Sequence, residues 1–203
     1  MAGVVERPAT RSPLRSVALP AEHGGWGLTL EPGLLGLLVA PSVGGLCIAL
    51  GAMVAFLART PLKVAAVDRR RGRVLARTRL AQRVAAGELA VLAALAAGAV
   101  WWAEPSFWWP GVAALPLLTV EAWYEVRSRG RRLAPELAGA VGVCSVAAMV
   151  VLAGGGDARL AIGAWLVLAA RATTSIPHVR AQIARLHGRA SPARAAAAGE
   201  VAA

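Results

Sequence analysis

The chain has 203 residues, 57% of them hydrophobic, yet it carries 22 Lys+Arg against 11 Asp+Glu and a formal net charge of +11. Its mean hydropathy is +0.58. A soluble domain does not combine that hydrophobicity with that charge, and a nucleic-acid binder would not gather its apolar residues into long uncharged runs. Apolar segments joined by basic loops do so naturally, which makes the chain an integral membrane protein with no nucleic-acid partner.

Residues 1–18 read as a disordered basic arm with no short apolar stretch or A-x-A site, so no cleaved signal peptide is expected and the first span acts as the insertion signal. A transmembrane helical domain follows over residues 19–188, all-α and polytopic, with about six spans. The first two are expected near Trp26–Ala40, broken by Glu31-Pro32, and Val43–Ala58. Both are short for a hydrocarbon core of ~30 Å, which takes about 20 residues. The first is therefore either extended by flanking residues or a broken, sheltered element.

Arg59–Arg83 is the densest basic stretch, with Asp68 its only acid. It reads as a partly helical cytoplasmic connection lying at the lipid surface. The third and fourth spans are expected over Val84–Trp102 and Phe107–Val126. Between them Trp101, Trp102, Trp108 and Trp109 cluster round Glu104-Pro105-Ser106, as interfacial aromatic anchors do. The fifth and sixth spans are expected over Ala134–Ala153 and Leu160–Pro177. Residues 189–203 form an Ala-rich tail of disordered composition.

Six spans put both termini and both basic loops on one side, leaving only Arg159 near the other beside Glu104 and Asp157. The positive-inside rule then makes that basic side cytoplasmic, and the protein a multi-pass protein of the cytoplasmic (inner) membrane. Arg outnumbers Lys by 21 to 1, a codon bias that suggests a GC-rich bacterial genome. Cys47 and Cys144 fall inside apolar segments and read as small packing residues, with no disulfide scaffold and no CxxC metal motif.

Ionisable residues stand near one end of several spans. Glu31, Glu88, Glu121 and Arg171 are all placed in the cytoplasmic half, Glu88 roughly 7 Å in from its helix end at 1.5 Å per residue. A charge at the bilayer centre costs roughly 2.5–3.5 kcal/mol on insertion scales, so four at matching depth argue for a shared polar pocket. The alternative is one structural ion pair with the other groups snorkelling to the interface. Glu121 and Glu125, four apart, share a helix face. They either answer the Arg127–Arg132 loop or hold a divalent cation against a phosphate.

Gly24-Gly25-Trp26-Gly27 is either a tight turn into a helix or an amide nest for an anion; it lacks the spacing of a P-loop. Glu136 after Pro135 complements a helix N-terminus. His23 and His178 are too few for a zinc site unless Glu22 joins them, and either can move a proton near neutral pH. The expected pocket lining is Glu22, His23, Glu31, Arg59, Lys63, Asp68, Glu121, Glu125, Arg171 and His178, with no metal ligand set and no catalytic residue assigned.

Pro20-Ala21-Glu22-His23-Gly24-Gly25-Trp26-Gly27 resembles the opening motif of the bacterial YwiC-like membrane proteins, in which His-Gly-x-Trp follows a proline at the first span. Arg59-Thr60-Pro61-Leu62-Lys63 with Asp68, and the run from Arg171 through Ser175-Ile176-Pro177-His178-Val179-Arg180, are similar to the rest of that pattern, over about residues 19–188. The resemblance implies an integral membrane protein and no particular activity. The layout is also similar to the UbiA-type prenyltransferases, which hold a diphosphate over cytosolic helix ends. It departs from them in lacking Asn-Asp-x-x-Asp, with only Asp68 near the right place.

Three functions are therefore expected of the pocket. The first is binding or transport of a small anionic or phosphorylated solute, arginines supplying charge and Glu or His coupling protons. The second is an enzyme acting on a lipid or isoprenoid phosphate, with Glu121, Glu125 and Asp68 holding Mg²⁺ and His23 as acid–base. The third is a structural role in a membrane complex.

Overall fold

A computed structural model describes residues 18–20, 23–72, 75–127 and 132–186, and of His23 the backbone only. The described residues form six α-helices and a single 3₁₀ turn: α1 (His23–Val39), α2 (Val43–Arg70), α3 (Ala76–Trp102), the 3₁₀ turn Pro105–Trp108, α4 (Trp109–Val126), α5 (Leu133–Ala153) and α6 (Ala158–Leu186). The all-α bundle is the fold the apolar runs require, since only a helix satisfies its own backbone in lipid. By length and composition α2, α3, α5 and α6 are able to cross a membrane. α1 has 17 residues, and α4 is made less apolar by Glu121 and Glu125.

The helices run further than the apolar segments that seed them. α2 passes straight through Pro61 and on to Arg70, so its 28 residues span about 42 Å at 1.5 Å each. The basic stretch is thus the end of a helical hairpin rather than a separate surface helix. Ser42 starts α2, its Oγ accepting from the Gly45 N–H at 2.9 Å. The hairpin closes at Gly72, whose φ of +64° is a conformation that glycine adopts without steric cost. Thr78 then reaches back to start α3, its Oγ1 accepting from the Leu75 N–H at 3.1 Å.

α5 is the axis of the bundle, with α1, α2, α4 and α6 packed round it, while α3 lies outside, chiefly along α2. Small residues set the spacing. A Cβ at Gly36 on α1 would meet Val150 and the Ala147 carbonyl of α5, and one at Gly142 of α5 would meet Leu118 of α4. Val150 and Val151 are wholly buried. Outward, Leu38 and Trp101 are 83% and 82% exposed, a lateral apolar surface that only lipid covers without penalty. The four tryptophans gather at one end of the bundle and the arginines of the α2–α3 hairpin at the other. Some helix hydroxyls donate to their own backbones, as Thr119 does to the Leu115 carbonyl at 2.7 Å and Thr29 to that of Gly25 at 2.9 Å.

Candidate functional site

α2 and α4 run in the same direction and present matched pairs. Arg59 and Lys63 are four apart on one, Glu121 and Glu125 four apart on the other, so each pair shares a helix face. Arg59 Nη2 lies 2.8 Å from Glu121 Oε1, and its Nε donates to Glu125. Lys63 Nζ donates to the other oxygen of Glu125 at 2.9 Å. The carboxylates are the inner members, with side chains 20% and 12% exposed against 36% and 42% for Arg59 and Lys63. Glu121 reaches inward because Gly139 on α5 leaves room: a Cβ there would overlap the carboxylate. Below the cluster, Arg127 stacks over the Trp123 ring at 3.9 Å.

A second pair lies on the other side of α5. Arg171 of α6 donates to Glu31 of α1, at the layer where Leu28, Leu35, Leu168 and Ala172 surround Cys144. About two and a half turns further along, Arg180 of α6 donates to Glu136 in the first turn of α5. Glu136 therefore serves twice, complementing the helix N-terminus and anchoring α6. On α1, Trp26 meets Phe56 of α2 edge-on with centroids 5.4 Å apart, and Gly25 is seated against the same ring. That contact brings the glycine-rich start of α1 to within a helical turn of Arg59.

Asp68 belongs to neither cluster. It sits in the last turns of α2, beyond the ~20 residues that cross hydrocarbon, and faces α3. Arg77 Nε and Nη2 donate to its two oxygens at 3.1 and 2.8 Å, and the Thr78 hydroxyl donates at 2.7 Å. Those bonds, Arg77 foremost, hold the carboxyl down to about 2. Arg77 and Thr78 were not among the residues singled out from the sequence. Their signal was distance along the chain: nine and ten residues after Asp68, across a tight turn, they must come back against it.

The expected lining is thus divided. Arg59, Lys63, Glu121 and Glu125 meet; Glu31 and Arg171 meet; Asp68 is bound to the start of α3. His178 is exposed on α6, its Nε2 3.5 Å from Gln182 Nε2. Glu22 and the His23 side chain lie outside the described residues. Among the described residues no three His, Cys, Asp or Glu side chains gather as a metal site. Asp68 faces α3, whereas Glu121 and Glu125 meet α2 on its other flank, so the three carboxylates do not converge.

The model of the family described as YwiC-like protein matches residues 19–151, from the approach to α1 through nearly all of α5. The Arg171–Arg180 run of α6 lies beyond the matched part. No curated protein and no solved structure matches the chain.

Proposed function

From the premise that the chain belongs to the YwiC-like family of integral membrane proteins, we propose that it is a multi-pass protein of the bacterial cytoplasmic membrane that binds, and carries, a small anionic or phosphorylated solute at the basic end of the bundle, in exchange with its own carboxylates. The arginines of the α2–α3 hairpin, with Arg127, Arg180 and Arg185, favour that end as the cytoplasmic one, since among the described residues only Arg159 lies toward the tryptophan end.

One observation carries the reading: in the α2–α4 cluster the cations are the more accessible partners and the carboxylates the less exposed ones. An anion arriving from the basic side meets Arg59 and Lys63 first. Taking them from Glu125 leaves a largely buried carboxylate without its charge partner, which is expensive unless it is neutralised. Uptake of one proton neutralises it. Anion binding and proton uptake are then coupled through Glu125, with Glu121 retaining its seat on Gly139.

The enzyme reading has less to support it. It asks Glu121, Glu125 and Asp68 to share one cation, and Asp68 is engaged by Arg77 and Thr78. The test uses the full-length protein purified in detergent and in liposomes, with inorganic phosphate, diphosphate and citrate as probes. We expect at least one to raise the thermal midpoint and to draw protons from a weakly buffered solution near pH 6.5. Glu125→Gln should keep the binding and abolish the proton uptake. Absence of any shift and of any flux into liposomes with all three anion classes would overturn the proposal.

A further inference from the structure

Of the described acids that lie on the helices, the charged clusters above leave out Glu88. Among the described residues, Glu88 Oε2 is the buried side-chain oxygen without a hydrogen-bond partner. It belongs to α3, where Ala81, Ala85, Glu88, Leu92, Leu95 and Ala99 recur at alternating steps of three and four residues. That period keeps one stripe turned to an antiparallel neighbour.

The neighbour is α2, and contacts at both ends fix the register. A Cβ at Gly44 would lie 2.7 Å from the Ala103 backbone, one at Gly98 would lie 3.0 Å from Cys47 Sγ, and one at Gly51 would touch Leu92 at 3.7 Å. At the far end Asp68 receives the Thr78 hydroxyl at 2.7 Å. Between Gly51–Leu92 and Asp68–Thr78, this register sets Glu88 against Ala58, which is wholly buried. The small residues of the seam draw the two helices close, so that Glu88, half-buried as a residue, has its Oε2 shut off from solvent.

Among the described residues no cation is bonded to Glu88 Oε2. Arg59 adjoins Ala58, but its guanidinium turns to Glu121 and Glu125 of α4, as Lys63 does. On α3 itself the nearest charge is Arg83, exposed and more than one turn away. An ionised carboxylate at that place would hold a buried oxygen without compensation.

α2 supplies an acceptor instead. Pro61, three residues beyond Ala58 on the same face and wholly buried, has no N–H to give the carbonyl one turn back. The Leu57 carbonyl therefore lacks its helical donor at the level where the register sets Glu88. We propose that Glu88 is a proton-binding site: its carboxyl is held protonated and donates that proton to the Leu57 carbonyl, closing the α2–α3 seam across the proline break. Loss of the proton removes the bond and places a bare charge in the seam, so deprotonation loosens α3 from α2. The proposal stands whether or not the bundle carries a solute.

A membrane-permeant carbodiimide tests it on the full-length protein. The protonated carboxyl adds its O–H across a C=N bond of the reagent, and acyl migration to nitrogen gives a stable N-acylurea with no leaving group. We expect an adduct mapped by mass spectrometry to Glu88 at pH 7, where an ordinary glutamate of pKa about 4.3 is ionised and unreactive. A charged, water-soluble carbodiimide should not form it, and Glu88→Gln should abolish it. Pro61→Ala, which restores an N–H to the Leu57 carbonyl, should lower the adduct yield at pH 7 severalfold and move its pH profile toward acid. A wild-type protein without the Glu88 adduct overturns the site, and an unchanged profile in Pro61→Ala overturns the role of Leu57. Infrared spectroscopy gives a readout without the proline variant: a protonated-carboxyl stretch at pH 7 that Glu88→Gln removes. Absence of that band in the wild type also sinks the proposal.

Discussion

Replacing Gly139 with alanine sets two effects of opposite sign against each other. Inside a helix, Gly→Ala is worth about 1 kcal/mol of stability through backbone entropy and propensity. Here the added Cβ would overlap the Glu121 carboxylate, whose Oε1 would be only 2.7 Å away. The carboxylate is the tip of a flexible side chain, so it swings off rather than straining α5. What is lost is its contact with Arg59 at 2.8 Å.

A hydrogen bond to a charged group contributes roughly 1.5–3 kcal/mol. The lower half of that range applies, because the Arg59 side chain is 36% exposed and keeps Glu125 as a partner. The net effect is a destabilisation of about 0.5–1.2 kcal/mol, or a fall in the thermal midpoint of roughly 1–5 °C for a chain of this size. Thermal unfolding of the purified protein in detergent reads it. In a Glu121→Ala background the same substitution should raise the midpoint, since the obstacle is gone. Gly163→Ala on α6, where a Cβ meets nothing within 4 Å, should raise it in either background. The reasoning is refuted if Gly139→Ala stabilises the wild type as much as Gly163→Ala does.

Within the same cluster, Glu125→Gln should cost more than Glu121→Gln, by roughly 1 kcal/mol, because Glu125 accepts from both Arg59 and Lys63; equal midpoints would show that Lys63 adds nothing. Gly44→Ala should destabilise by about 1–3 kcal/mol, since its Cβ would meet Ala103 backbone that cannot move aside; an unchanged midpoint would mean that α2 and α3 are not this close. Asp68 gives a pH dependence of defined sign. Its folded carboxyl lies at about 2, below the ~3.9 of an unfolded aspartate. Its contribution is therefore complete above about pH 4 and disappears as the pH falls toward 2. Asp68→Asn should remove that part of the acid-unfolding profile, and an unaltered profile would show that the Arg77 clamp is not linked to folding.

Much of this protein could be read from the order of its residues. Uncharged apolar runs are incompatible with water at that length, so the helical, membrane-embedded class follows from composition and spacing alone. Glu121 and Glu125 share a face because a helix has 3.6 residues per turn, whatever lies opposite. Hydropathy does not mark where a helix stops, because backbone hydrogen bonds continue wherever phi and psi allow. That is why α2 and α3 run on through the arginines to a turn at Gly72.

Partnership is a different matter. The chain has 22 Lys+Arg for 11 Asp+Glu, so cations outnumber acids two to one, and charge alone does not choose which cation an acid takes. The choice was made by which helices approach closely. Gly139 lets Glu121 sit on α5 within reach of Arg59, and the Gly36–Val150 contact draws α1 against the same helix, whose other flank carries α6 and Arg171. Asp68 was turned toward α3 by a reversal only a few residues long. Steric fit between small residues far apart in the chain is a property of the packed bundle, and only the tertiary structure could decide it.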